Sequence, residues 1–295
     1  MGNIRFKTDR LTFGDFTWRS LHTDISLNDE KINITIKEAG LCGISTPGTL
    51  SLSPETIQFD IKPTATDQDL NSSLNCFASA ESAIDQMGIK VVKTMKADGT
   101  YSLEGNFQGN GKADDLLKSA TGQLEYTATD GHIYYDVVLL NVLKYLNATE
   151  QLRGQTDLGK METQGFGYRS IKIEASLQDG TISYKRAILD GPSMALTGAG
   201  EQDLLTGRLD LNLLVTLQVT LGRVLDKLPM VGGVLQGLNT IPLGVKGTLD
   251  NVRIQALAPS AVSYELKNIM ENTVKGPIKL MNIGRKPAAE GKTSP

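Results

Sequence analysis

The sequence predicts a mainly β protein with a few helices (β-rich α+β), built on a long curved antiparallel sheet. Apolar and polar residues alternate with a period of two in several segments, which is typical of strands with one buried face and one wet face. Turn sequences such as Asp98-Gly99, Asp130-Gly131 and Asp179-Gly180 separate these segments, and Asx-Gly pairs favour tight hairpins. Alternating segments joined by short turns predict an antiparallel meander.

The strands are predicted from alternating runs at residues 32–36, 57–61, 171–177 and 209–219. The last run is the longest and would extend for roughly 36 Å at the usual strand rise. Aromatic residues make up only 5% of the chain, so the apolar faces are aliphatic. Such a face either packs as an ordinary sandwich core or forms a groove that holds acyl chains, and the alternation alone leaves both interpretations open.

Helical spacing of apolar residues interrupts this pattern at residues 137–146, 221–238 and 260–274. Ser260 follows a proline and is the expected N-cap of the last helix. Residues 67–87 are expected to be helical in part. The amphipathic helices therefore concentrate near the C-terminal end of the sheet.

Composition argues against several classes of function. The net charge of −3 lacks the basic excess of a nucleic-acid-binding domain. Two histidines and two cysteines are too few for a zinc module, and neither His22 nor His132 has an obvious serine or cysteine partner. We therefore expect no enzyme activity, no catalytic residue, no metal and no cofactor.

No run of about 18 apolar residues predicts a membrane span. No signal peptide is evident, so the chain is either unexported or the C-terminal part of a longer protein.

Cys42 and Cys76 are the two cysteines of the chain. They are either buried thiols in a cytosolic protein or a structural disulfide in an oxidising compartment. A CxxC motif is absent, which argues against a redox or metal role. Composition and spacing leave the choice open.

A series of short motifs follows a fixed order between Thr121 and Ile283. They are Gly131-His132-Ile133-Tyr134, Val142-Leu143-Lys144-Tyr145-Leu146-Asn147, Gly165-Phe166-Gly167-Tyr168-Arg169, Asp190-Gly191-Pro192-Ser193-Met194, Gly207-Arg208-Leu209-Asp210-Leu211, Leu228-Pro229-Met230-Val231-Gly232, Ile241-Pro242-Leu243 and Val245-Lys246-Gly247-Thr248-Leu249. Upstream, Leu41-Cys42-Gly43-Ile44 is followed by Cys76. In order and spacing the chain resembles the AsmA-like C-terminal region, closest to the YhdP-type branch of the AsmA/TamB superfamily.

The resemblance implies a non-enzymatic protein of the Gram-negative periplasm or cell envelope, part of an inner-membrane-anchored lipid conduit. Its implied partners are phospholipid acyl chains, the membrane at its ends and an envelope protein, with no nucleic acid. It also implies a disulfide between Cys42 and Cys76. The residues expected to contact lipid are Ile171, Ile173, Leu177, Leu209, Leu211, Leu213, Val215, Leu217 and Val219.

The expected organisation has four parts. Residues 1–95 form an N-terminal β segment with the cysteine pair, and residues 96–257 form the AsmA-like β-groove with helices near 137–147 and 221–238. Residues 258–283 form a C-terminal amphipathic helix and end segment, and residues 284–295 form a disordered tail.

Two other functions remain as alternatives. One is an interaction module that assists outer-membrane protein assembly through sheet-edge β-augmentation. The other is a carbohydrate-active protein, which needs two carboxylates about 5–9.5 Å apart across a cleft.

Overall fold

The computed structural model describes residues 2–28, 30–79, 95–148, 164–217 and 240–263, together with Leu266 and Ile269. Sixteen strands in this part of the chain form one sheet whose neighbouring strands run antiparallel. The predicted class, β-rich α+β with one long antiparallel sheet, is confirmed.

The strands, in chain order, are β1 Gly2–Phe13, β2 Phe16–Leu27, β3 Ile32–Leu41, β4 Ile44–Ser45, β5 Gly48–Leu52, β6 Ile57–Ile61, β7 Thr64–Asp69, β8 Lys96–Ala97, β9 Thr100–Gly111, β10 Thr121–Tyr135, β11 Phe166–Gln178, β12 Thr181–Asp190, β13 Met194–Asp203, β14 Arg208–Leu217, β15 Thr240–Thr248 and β16 Asn251–Ala256. The helices are α1 Leu70–Ala78, α2 Leu116–Ser119 and α3 Val137–Ala148, and short 3-10 turns span Ala113–Asp115 and Pro259–Ala261.

The sheet has a split near its N-terminal end. One part of β3 pairs with β4, which leads through β7 to β9, and the other part pairs with β5, which leads through β6 to β9. From β9 to β16 the strand order is sequential, and β8 adds to the end of β10. The expected boundary between residues 95 and 96 therefore falls within one continuous sheet, because β6 and β7 pair directly with β9.

The two longer helices begin at aspartate N-caps. The Asp69 carboxylate accepts a hydrogen bond from the Ser72 amide at 2.7 Å, and the Asp136 carboxylate accepts one from the Leu139 amide at 2.8 Å. These bonds satisfy amides that a helix leaves unpaired at its first turn. Burial raises the pKa of Asp136, although the backbone hydrogen bonds oppose this shift. The helix predicted at 137–146 is confirmed as α3, and α1 lies within the predicted range 67–87.

The predictions for the C-terminal helices are only partly covered by the described residues. The helix at 221–238 and the tail at 284–295 lie outside them. Ser260 lies inside the 3-10 turn and is not the N-cap. Instead, the hydroxyl of Ser263 accepts a hydrogen bond from the Leu266 amide at 3.2 Å. Pro259 is the first residue of the 3-10 turn, and this hydrogen bond forms after the turn has ended at Ala261.

The predicted hairpin at Asp130-Gly131 is wrong, because both residues lie inside β10. Asp130 has a φ of 52°, yet β10 pairs with β11 on both sides of it. A Cβ atom on Gly131 would lie 2.1 Å from the carbonyl oxygen of Asp98. The predicted hairpin at Asp98-Gly99 is also wrong, because β8 and β9 run in the same direction along one side of β10, and Asp98-Gly99 is the junction between them. Gly131 therefore allows the Asp98-Gly99 junction to approach β10 closely.

The sheet curves around α3. In a flat sheet, β16 would lie about 29 Å from β10, at about 4.8 Å per strand. Helix α3 follows directly after β10 and is about 18 Å long, yet it contacts β16. Curvature brings the two together, and Val142 and Leu146 of α3 are fully buried in one hydrophobic cluster with Leu213, Leu243 and other strand residues. No helix within the described ranges has the length and hydropathy needed to cross a bilayer.

Candidate functional site

One face of the sheet is apolar from β1 to β16, and we call it the inner face. Residues directly opposite each other on neighbouring strands project from the same side of a sheet. One row of directly paired residues consists of Ile4, Ile25, Ile34, Leu50 and Phe59. A second row consists of Leu103, Tyr126, Ile173, Ala187, Gly198, Leu213 and Leu243. The two rows belong to one face because Phe59 pairs with Gly109, which has the same parity as Leu103 on β9.

The inner face is open at one end and covered at the other. Ile4 is 50% exposed, and Phe6 and Ile32 are each 39% exposed, so apolar side chains contact solvent over β1–β3. At the opposite end, Leu213 and Leu243 are buried in the cluster that includes α3. We call the open part, over β1–β6, the groove. Along β3 and β6, its side chains Ile34, Ile36, Ile57, Phe59 and Ile61 are half-buried, and the residues between them on the opposite face are exposed.

An apolar cavity of about 480 Å³ lies between α1 and the inner face of β9–β12. This volume is within the usual range of ligand sites, about 300–1,000 Å³. Helix α1 contributes Leu70, Ser73, Leu74 and Phe77, and the strands contribute Leu103, Phe107, Leu124, Tyr126, Ile173 and Leu177 among others. Phe107 pairs with Ile61 at the end of β6, so the cavity adjoins the groove. None of the described residues that line the cavity carries a charge.

The polar groups of the cavity are hydroxyls. The Ser73 and Tyr101 hydroxyls are 2.8 Å apart and hydrogen-bonded, and the Tyr184 hydroxyl donates to the Gln202 side-chain oxygen at 2.9 Å. Burial raises the pKa of Tyr184 to about 12 and that of Tyr126 still higher. Both shifts have the sign expected where water is largely excluded, because burial disfavours the ionised phenolate. The cavity therefore suits an uncharged, mostly apolar occupant.

The predicted lipid-contacting residues fall into two groups. Ile171, Ile173 and Leu177 line the cavity. Leu209, Leu211, Leu213, Val215 and Leu217 lie on the same inner face but do not line it: four are buried, and Leu211 is half-buried. Leu213, Val215 and Leu217 pack in the cluster that contains α3. Val219 lies outside the described residues.

Cys42 and Cys76 form a disulfide, with an S–S distance of 2.02 Å and a Cα–Cα distance of 5.4 Å. Cys42 lies in the tight turn between β3 and β4, where its φ is 53° and that of Gly43 is 85°. Cys76 lies in the last turn of α1. The bond therefore joins a wall of the cavity to the β3–β4 turn.

A second polar cluster surrounds Asp98. Its carboxylate accepts hydrogen bonds from the His132 amide at 2.6 Å and from the Tyr134 hydroxyl at 2.7 Å, and its carbonyl accepts one from the Tyr168 hydroxyl at 2.6 Å. Burial raises the pKa of Asp98, but the two hydrogen bonds to its carboxylate, together with the nearby His132 ring, outweigh burial and lower the pKa. The His132 ring lies 3.4 Å from the same carboxylate. The cluster fixes the Asp98-Gly99 junction between β8 and β9 against β10.

Several cavity residues were not singled out from the sequence. Tyr101, Leu103 and Phe107 lie at odd-numbered positions of β9, and Leu124 and Tyr126 lie at even-numbered positions of β10. Alternation with a period of two therefore places each set on one face of its strand. On α1, Leu70, Leu74 and Phe77 have the spacing of one helical face. These residues lie in shorter and more polar runs than the predicted strands, but the same apolar spacing marks them in the sequence.

Comparison with known proteins gives no match to a family model, to a curated protein or to a solved structure.

Proposed function

We propose that this chain is a non-enzymatic, acyl-chain-binding part of a cell-envelope lipid conduit, of the AsmA/YhdP type that its motifs resemble. The observation that carries the proposal is the inner face: it is apolar across the sheet, open over β1–β6 and continuous with a cavity that has no charged residue among its described lining. The conduit would carry phospholipids and support outer-membrane biogenesis.

The energetics favour acyl chains as the occupant. Each methylene that leaves water contributes about 0.8 kcal/mol, so ten methylenes contribute about 8 kcal/mol before binding costs. The described lining offers no charged partner to a phosphate group, and an ionic head group would lose its hydration there. The chains therefore enter the apolar space while the head group stays at the solvent-exposed rim of the groove.

The positions of α1 and α3 support entry of lipid from the β1 end of the sheet. Over β13–β16 the inner face is occupied by α3, whose buried side chains fill the space that lipid would need. Over β1–β6 the same face is open. In the proposed conduit, lipid enters from the β1 end and the cavity under α1 is its last apolar site in the described sheet, with membrane contacts at the ends of the whole assembly.

The disulfide supports a location in the periplasm. Structural disulfides persist in oxidising compartments and are rare in the cytosol. Cys42 and Cys76 are bonded to each other in the structure. The bond is therefore consistent with the proposed location in the cell envelope, while the proposed anchoring of the whole protein in the inner membrane rests on the resemblance of its motifs.

The proposal predicts that phospholipid co-purifies with the folded chain. The protein would be expressed in a Gram-negative host with periplasmic export, then measured by native mass spectrometry and by lipid extraction. We expect mass adducts that correspond to phospholipid and that disappear on delipidation. A folded chain that carries no lipid, and takes up none from added phospholipid, would contradict the proposal.

A specific observation also favours a second function, that of a protein-interaction module. Among the described residues, β1 (Gly2–Phe13) pairs with β2 along one side and with no strand along the other, so it is an edge of the described sheet. Such an edge presents unpaired backbone groups to an added strand. This alternative predicts a protein crosslink to β1 and no bound lipid.

A further inference from the structure

We propose that α1 is a movable cover of the apolar cavity, and that the Cys42–Cys76 disulfide holds it closed. Reduction of this disulfide would then release the bound acyl chain. The inference rests on the proposed function and deepens it, because the oxidation state of Cys42 and Cys76 would control whether the same cavity retains its acyl chain. Three observations support it: α1 forms one side of the cavity, hydrogen bonds attach the start of α1 to the sheet, and the disulfide attaches its end.

Helix α1 forms one side of the cavity. Leu70, Ser73, Leu74 and Phe77 all face it, and the opposite side is formed by the inner face of β9–β12. Leu70 is 5% exposed, whereas Leu74 and Phe77 are only half-buried. Displacing the second half of the helix would therefore open the cavity without uncovering the best-packed residue.

The N-terminal half of α1 is held by hydrogen bonds. The Leu70 amide donates to the Gly99 carbonyl at 3.0 Å, and the Asp69 carboxylate caps the first turn. One turn further, the Ser73 hydroxyl bonds to that of Tyr101 on β9. These three contacts attach the start of the helix to the sheet independently of the cysteines.

The C-terminal half is attached differently. Among the described residues, the hydrogen bonds of its last turn stay within the helix, such as those from the Ser79 amide and hydroxyl to the Asn75 carbonyl. The covalent attachment to the sheet is the bond from Cys76 to Cys42. Phe77, the neighbour of Cys76, lines the cavity. The disulfide therefore fixes the end of the helix that carries the outer part of the cavity wall.

The chemistry is thiol–disulfide exchange with a dithiol reductant. A reductant thiolate attacks one sulfur, its second thiol resolves the mixed disulfide, and the products are the cyclic disulfide of the reductant and two protein thiols, Cys42 and Cys76. Both cysteines are half-buried, so a small dithiol can reach them. Once the bond is broken, the last turn of α1 is free to leave the cavity, which exposes the bound chain to water.

The test compares the oxidised chain, the dithiothreitol-reduced chain and the Cys42→Ser/Cys76→Ser double variant by hydrogen exchange and by dissociation of a pyrene-labelled phospholipid. Loss of the covalent attachment lowers the free energy needed to open the end of α1 locally, and about 1.4 kcal/mol corresponds to tenfold in the opening equilibrium. We therefore expect at least about tenfold faster exchange in residues 74–78 and at least about tenfold faster probe dissociation, with exchange in the first turn of α1 and in β10 and β11 unchanged. Reductant should have no effect on the double variant.

Phe77→Ala is the matched variant with an intact disulfide. It should speed probe dissociation without changing exchange in the first turn of α1. Equal exchange in oxidised and reduced protein would overturn the inference, as would faster exchange throughout the sheet, because the disulfide would then stabilise the whole fold. Failure of the oxidised chain to bind the probe would instead contradict the proposed function, while the exchange data would still decide whether the disulfide holds α1.

Discussion

Replacing Leu124 by aspartate is expected to abolish lipid retention by a protein that still folds. Leu124 is half-buried and lines the cavity, and its paired neighbours Gly105 and Ala175 are small. A carboxylate at this position would either stay hydrated inside the cavity or be buried without a partner, and both outcomes disfavour an acyl chain. We expect at least about a tenfold loss of co-purified phospholipid, equivalent to about 1.4 kcal/mol of binding free energy.

Gln123→Asp is the matched control for this variant. Gln123 is the preceding residue on β10, is exposed and projects from the opposite face of the sheet. It should retain lipid at the level of the unmodified chain, with the same thermal unfolding. Equal lipid content in the folded Leu124→Asp variant would show that the cavity is not where the acyl chains bind.

Replacing Leu213 by alanine is expected to destabilise the fold strongly and to leave lipid binding intact. Leu213 is 8% exposed, and it packs in the cluster that contains the buried residues of α3. Truncating a buried leucine in this way lowers the free energy of unfolding by about 2–5 kcal/mol. Denaturant unfolding measures this loss, and lipid extraction from the folded fraction measures retention.

Asp210→Ala is the control on the same strand. Asp210 is exposed and pairs with Lys246 at 3.3 Å, a type of surface ion pair that contributes about 0–1 kcal/mol. A Leu213→Ala variant that is as stable as this control would contradict the assignment of β14 to the covered core. Loss of lipid from folded Leu213→Ala would place the acyl chain under α3 instead.

The strands and their faces could be predicted from the sequence because alternation with a period of two is a local property. Ile171, Ile173 and Leu177 lie on one face of β11, as their spacing requires. The alternate residues of β14 lie on the same face of the sheet, namely Leu209, Leu211, Leu213, Val215 and Leu217. Hairpins such as Asp179-Gly180 were also predictable, since both residues have the positive φ that the Asx-Gly pair favours.

Which part of this face stays open was not predictable. Helix α3 was evident from its spacing, but its partner β16 begins more than a hundred residues after the helix starts and contacts it only because the sheet curves. The alternating leucines of β14 look the same in sequence whether they face lipid or a helix. The hairpins predicted at Asp98-Gly99 and Asp130-Gly131 failed for a related reason, since these two pairs lie against each other where the junction between β8 and β9 approaches β10 closely.

The central claim is that acyl chains bind the inner face, and photocrosslinking tests it most directly. A photoreactive amino acid would be introduced at Leu103, which lines the cavity, and separately at Glu104, the exposed neighbour on the opposite face of β9. After irradiation in cells, we expect phospholipid adducts at position 103 and none at position 104. Adducts at neither position, or equally at both, would contradict an acyl-chain site on the inner face.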